Sequence, residues 1–140
     1  MKKVTEVLRD NGFKVTPQRL AVYHALVETK EHPNAEMLFD KLQPQYPTMS
    51  LATVYKTIEI LAQLKLIKVL NTGEASFRYD ADVSDHGHIK CSVCDVVKDV
   101  MDVDLACVVD SVEEQTGYEV SSKQVYFFGV CPECRKKVAN

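Results

Sequence analysis

The sequence predicts an α/β (α+β) protein. An N-terminal winged helix-turn-helix domain is followed by a C-terminal α/β domain with a four-cysteine zinc site. Three observations carry this reading. Capped amphipathic segments run to Leu64. Two short strands around Thr72-Gly73 follow them. Two CxxC pairs, Cys91/Cys94 and Cys131/Cys134, bracket most of a second half built from short strands and one helix.

Val4 to Leu8 read as a short amphipathic helix ending near Gly12. Thr16-Pro17 supplies an N-cap and a proline in the first turn of a second helix, with Leu20, Tyr23, Ala25, Leu26 and Val27 as its apolar positions. His32-Pro33-Asn34 breaks the chain, and Asn34 can cap a third helix from Ala35 to Leu42. Pro44 and Pro47 bound a loop. Ser50 caps a fourth helix running to about Leu64. Its apolar positions include Leu51, Val54, Ile58, Leu61 and Leu64, and its exposed positions include Thr53, Lys56, Thr57 and Glu59. Ile67 to Leu70 and Ala75 to Tyr79 form a hairpin. In a winged helix the fourth helix enters the major groove and the hairpin lies along the backbone. The alternative is a small helical domain in which residues 50–64 only pack.

Residues 80–86 are polar and aperiodic, as in a hinge, so the expected domains are 1–80 and 86–140 with a hinge at 81–85. Beyond it, His88 to Lys90 and Val96 to Val100 read as strands. Asp102 or Asp104 can cap a helix to Thr116 that buries Leu105, Val108, Val109 and Val112 and ends at Gly117. Tyr118 to Val120 and Gln124 to Phe128 read as further strands, and Pro132 to Val138 as a terminal helix.

The 140 residues carry a net charge of −3, unevenly spread. Residues 1–70 hold ten Lys/Arg against seven Asp/Glu, whereas residues 71–140 hold seven against thirteen. A polyanion is therefore expected on the first half. No apolar run approaches the ~20 residues that span a bilayer. The N-terminus lacks the apolar stretch of a secretory signal. A cytoplasmic protein without a membrane partner is the expectation.

Without a secretory signal, paired CxxC motifs read as metal ligands rather than disulfides. Cys91, Cys94, Cys131 and Cys134 can close a tetrahedral Zn²⁺ site across 36 intervening residues, with no open position and hence a structural role. The alternative is a redox dithiol. Cys107 stands outside the set and is expected to be a buried or half-buried small hydrophobe. A second cluster is His86-x-His88, whose alternate residues point the same way on a strand. Asp80 precedes it and Asp99 follows it. Carboxylates would harden such a site toward Fe²⁺ or Mn²⁺, though Zn²⁺ also fits. His32 is a candidate donor from the other domain, or simply a helix-flanking histidine. A ligand set drawn from both halves would couple metal to the spacing of recognition helices in a symmetric dimer. An enzyme is not expected. Cys131-Pro-Glu-Cys134 superficially looks like half a deaminase motif, but no His-x-Glu partner precedes it.

These motifs together resemble the ferric uptake regulator (Fur) family, and within it the peroxide-responsive repressors. The resemblance covers nearly the whole chain. It rests on Gly12-Phe-Lys-Val-Thr-Pro-Gln-Arg19, His32-Pro-Asn-Ala35, Ser50-Leu-Ala-Thr-Val-Tyr-Lys56, Asp85-His-Gly-His-Ile-Lys-Cys-Ser-Val-Cys94 and Cys131-Pro-Glu-Cys134. It implies a homodimeric repressor that binds a palindromic double-stranded DNA operator, with residues 86–140 as the dimerisation domain and no organic cofactor. It implies DNA contacts from Arg19, Ser50, Thr53, Tyr55 and Lys56; lysine stands at 56 where arginine is common. It implies a regulatory Fe²⁺ or Mn²⁺ site of His32, Asp80, His86, His88 and Asp99, beside the structural Zn²⁺. Iron-sensing relatives more often carry glutamate at the positions of Asp80 and Asp99, which turns the reading toward peroxide. Oxidation of His32 or His86 to 2-oxo-histidine would then release metal and DNA. The alternative within the family is a repressor acting by reversible iron or manganese binding. Gly87 and Ser121-Ser122 lack the donors of an additional family site, so two metals per chain are expected.

Overall fold

The computed structural model describes residues 3–84 and 86–139. Asp85, within the expected hinge, lies outside the described residues. The chain separates into two compact units, one ending at Val83 and the other beginning at Ser84.

The first unit contains α1 (Val4–Asp10), α2 (Pro17–Val27), α3 (Ala35–Leu42) and α4 (Leu51–Gln63), then β1 (Lys68–Leu70) and β2 (Arg78–Asp80). Helix starts follow local chemistry. The Thr16 hydroxyl accepts the Arg19 N–H at 3.2 Å, the Asn34 carbonyl oxygen accepts Met37 N–H at 2.8 Å, and the Ser50 hydroxyl accepts Thr53 N–H at 3.1 Å. Each satisfies a donor that the first turn leaves without a helical partner. The core joins Val22, Ala25 and Leu26 of α2, Leu38 and Leu42 of α3, and Val54, Ile58 and Leu61 of α4, with Ile67 and Tyr79 closing it from the hairpin. Such a three-helix core capped by a two-stranded wing is the winged-helix arrangement.

Two side chains differ from expectation here. Thr57, expected on the outer face of α4, is 2% exposed. It lies three residues from Val54 and four from Leu61, and so shares their stripe. Val27, expected inside, is exposed at the end of α2. The hairpin ladder is also shorter than expected. It pairs Lys68 with Asp80 and Leu70 with Arg78, and residues 71–77 form the connection, begun by Asn71 accepting Gly73 N–H at 3.2 Å.

The second unit contains β3 (Gly87–Cys91), β4 (Val97–Val100), α5 (Leu105–Thr116), β5 (Tyr126–Gly129) and α6 (Pro132–Ala139). Its sheet has the order β4-β3-β5. The β3–β4 pair is antiparallel and places His88 opposite Asp99. The β3–β5 pair is parallel, because the chain crosses over through α5, and sets Cys91 beside Gly129. Asp104 caps α5 through the Cys107 N–H, and Gly117 ends it at φ +72°.

Three expectations fail in this unit. Of the four α5 residues expected inside, only Leu105 is buried; Val108 and Val112 are exposed and Val109 is half-buried. Cys107 is exposed rather than sheltered. Tyr118 to Val120 is not a strand: the Val120 N–H donates to the Glu113 carboxylate at 3.0 Å, and Tyr118 is 75% exposed. Among the described residues this unit buries only Cys91, Val97, Leu105 and Cys134 as apolar side chains, too few to cover the α5 stripe. No described helix is long and apolar enough to cross a membrane.

Leu61, 1% exposed at the centre of the first unit, sets a stability test. Leu61→Ala should cost about 2–5 kcal/mol, read as a lower urea midpoint for that unit at unchanged slope.

Candidate metal centres

The four thiols of Cys91, Cys94, Cys131 and Cys134 converge, each sulfur within 4.8 Å of the others. Cys91 ends β3. A turn through Asp95, in the left-handed region at φ +64°, carries the chain back toward β4. Cys131 directly precedes α6 and Cys134 lies in its first turn. The Cys94 and Cys131 sulfurs are 3.8 Å apart. Four sulfurs about 2.3 Å from a tetrahedral zinc ion stand roughly 3.8 Å from one another. Backbone N–H groups of Val93, Cys94 and Cys131 point at the Cys91 sulfur at 3.4, 3.5 and 3.4 Å.

Charge bears on the same cluster. The Cys131 amide, then that of Cys94, lowers the Cys91 thiol to about 6. Cys134 is pushed up to about 12, first by its hydrogen bond with Cys131 and then by burial. Four crowded sulfurs cannot all carry charge unaided. A divalent, thiophilic cation removes that conflict, so the donor set fits Zn²⁺.

The His/Asp residues are held by different elements. In the first unit His32 sits in the break before α3 at φ +52°, a left-handed conformation that costs a non-glycine residue energy. Its side chain is 2% exposed, with Nε2 3.8 Å from Asp80 Oδ2. Asp80 ends β2, and its Oδ1 accepts the Asp82 N–H at 2.9 Å. In the second unit His86 Nε2 lies 3.0 Å and His88 Nε2 3.3 Å from the same oxygen, Asp99 Oδ1. The two rings are 4.6 Å apart. These separations suit N–H groups donating to a carboxylate. They equally suit donors at right angles around one ion, which stand roughly 3.0 Å apart for bonds near 2.1 Å. Each unit therefore presents imidazole and carboxylate together, without sulfur.

The remaining predicted residues lie on α2 and on or at the start of α4 in the first unit. Tyr55 and Lys56 are exposed on α4, and Thr53 is half-buried one turn from its cap Ser50. The Arg19 guanidinium donates from α2 to the Lys14 carbonyl at 2.7 Å.

Several supporting residues escaped the sequence reading. Ser84 Oγ is 3.4 Å from His86 Nδ1, a partner that can fix the tautomer leaving Nε2 as donor atom. Tyr126 stacks on His88 at 6.0 Å. Arg78 reaches the His32 carbonyl at 3.4 Å. Two local signals were present, the two-residue spacing of Ser84 and His86 and the i,i+4 spacing of Glu74 and Arg78. The Tyr126 contact depends on the pairing of β5 with β3.

Comparison with known proteins places nearly the whole chain among relatives of one family. A model of the ferric uptake regulator family matches residues 10–128. The transcriptional regulator PerR of Clostridium acetobutylicum is 44% identical over 137 residues, covering 98% of this chain and 99% of its own. The peroxide operon regulator of Bacillus subtilis is 36% identical, covering 98% and 94%. The crystal structure of the Campylobacter jejuni peroxide stress regulator superposes with a TM-score of 0.76 at 30% identity, covering 95% of this chain and 100% of that one.

The sulfur cluster yields a direct test. Protein loaded with Zn²⁺ at neutral pH should lose it progressively on acidification, as protons compete with the ion for the four thiolates, with release read by a chelating dye. Cys94→Ser should lower retained zinc well below one ion per chain by elemental analysis.

Proposed function

This chain belongs to the ferric uptake regulator family, and we propose that it is a metal-dependent transcriptional repressor sensing hydrogen peroxide. The observation that carries the reading is the chemistry of the two His/Asp groups: three imidazoles and two aspartates, His32 with Asp80 and His86 and His88 with Asp99. In this reading the five residues serve one regulatory Fe²⁺ or Mn²⁺, as the family resemblance implies, while the four cysteines hold a structural Zn²⁺. The protein is not an enzyme, since its reaction with peroxide consumes its own ligand.

Fe²⁺ held by these residues would supply the chemistry that activates the peroxide O–O bond beside the ligands. The net change would fall on the chain: the ring carbon between the nitrogens of His32 or His86 would take one peroxide oxygen, the ring would lose two electrons to the peroxide, and the other oxygen would leave as water. A 2-oxo ring would be a poor donor, so the set would lose its hold on the ion. Asp99 keeps His86 and His88 convergent, and Ser84 steadies the far nitrogen of His86.

A site drawing ligands from both units makes metal binding favour one relative orientation of the two units. In a homodimer that orientation sets the spacing of the two α4 helices, and thus the fit to a palindromic operator. The exposed apolar stripe of α5 with Phe127 and Phe128 suits burial against a second copy in a cytoplasmic dimer. In this reading Tyr55 and Lys56, exposed on α4, contact the DNA, as do Arg19, Ser50 and Thr53.

The reading is tested by loading the protein anaerobically with Fe²⁺, adding about one equivalent of peroxide and mapping peptides by mass spectrometry. One added oxygen on the His32 or His86 peptide, absent from Mn²⁺-loaded protein, is expected. Unmodified histidines in a verified iron-loaded sample would leave a reversible iron- or manganese-responsive repressor. For the DNA face, Lys56→Ala should weaken binding similarly across sequences and reduce the salt dependence by about one ion, measured by fluorescence anisotropy.

A further inference from the structure

We propose that Arg78, clamped by Glu74, is a positioning residue for His32, and so sets how firmly the regulatory ion is held and which histidine peroxide modifies. The inference rests on reading His32 as a ligand.

The guanidinium divides its nitrogens between two partners. Nε donates to Glu74 Oε2 at 2.9 Å and Nη2 to Glu74 Oε1 at 3.0 Å. This fork fixes the plane of the group, and Nη1 is left directed at the His32 carbonyl, 3.4 Å away. His32 needs such support, because its backbone is held at φ +52° without the freedom of glycine. The ion pair is also sheltered, with Arg78 11% and Glu74 19% exposed, so water competes weakly for it.

Two further bonds join the same segments. Tyr79 N–H donates to the Pro33 carbonyl at 3.1 Å, and Asn34 Nδ2 donates to Ser76 Oγ at 3.2 Å. Thus His32, Pro33 and Asn34 are stitched in turn to Arg78, Tyr79 and Ser76 of the hairpin. The neighbour of Tyr79 is Asp80, whose carboxylate faces His32. Arg78 therefore braces both members of the His32–Asp80 pair, one through its carbonyl and the other along β2. An i,i+4 ion pair that only stiffened the hairpin would need no third bond to a ligand-bearing loop.

The test uses full-length, zinc-loaded protein. Arg78→Ala, Arg78→Lys and Glu74→Gln are compared with wild type and with His32→Ala as the reference for a lost ligand. Mn²⁺ affinity is measured by titration. The share of added oxygen on the His32 peptide relative to the His86 peptide is measured after Fe²⁺ and peroxide. Arg78→Ala should weaken Mn²⁺ binding about tenfold and shift oxidation away from His32 toward His86. Arg78→Lys should rescue little, since an ammonium cannot grip Glu74 as a fork and still reach the His32 carbonyl in a fixed plane. Glu74→Gln should move both readouts the same way by less. If Arg78→Ala does not fold by circular dichroism, Glu74→Gln decides alone, because it keeps the shape of the pair. An unchanged affinity or an unchanged oxidation share overturns the positioning role. If His32→Ala itself binds Mn²⁺ as wild type does, His32 is not a ligand and the site reading falls with it.

Discussion

Among its described residues the second unit buries few apolar side chains, and the four-sulfur cluster ties together the segments that carry half of them. The first unit closes over a core of helix stripes and two hairpin residues. The second buries Cys91, Val97, Leu105 and Cys134, and half of those are members of the cluster itself. Joining Cys91 and Cys94 to Cys131 and Cys134 fastens the end of β3 to the start of α6 across a long stretch of chain. For so small a unit, a metal held by four thiolates contributes folding free energy directly. Backbone amides lower the Cys91 thiol while the neighbouring Cys131 sulfur and burial raise that of Cys134, and a divalent cation relieves the second conflict.

The consequence passes along β3. That strand is five residues long, with Cys91 at its end, His88 within it and His86 just before it. Its antiparallel partner β4 brings Asp99 opposite His88, and its parallel partner β5 brings Tyr126 alongside. A cluster anchoring one end of so short a strand also sets the register in which the histidines meet their carboxylate. In the first unit the corresponding task falls to hydrogen bonds between the His32–Asn34 break and the hairpin. The loop carrying His32 is thereby tied to the wing of the winged-helix unit.

Much of this was legible along the chain, because helix caps, helical stripes and CxxC spacing are local. Thr16, Asn34, Ser50 and Asp104 each bond the amide three residues on, as their residue types require. The four cysteines were grouped correctly by chemistry alone. The misreadings occurred where a side chain's surroundings, rather than its spacing, decide the outcome. Val108 and Val112 have the pattern of inner-face residues, but the unit that carries them has too little mass to cover them. Tyr118 to Val120 has strand-like residues, but a carboxylate from α5 takes an amide a ladder would have used. Thr57 is different: its spacing did place it inside, and polarity misled.

Residue order alone was enough for most helices and their caps, the winged-helix order, the two kinds of candidate metal donor and the family. Each of these depends on residue type and short-range periodicity. It took the fold to show that Arg78 reaches the His32 carbonyl, that Asp99 lies against two histidines at once and that the α5 stripe lies on the surface. Those facts depend on which strands pair and in what register, and pairing between distant segments is set by the packing of the whole unit rather than by any stretch of chain within it.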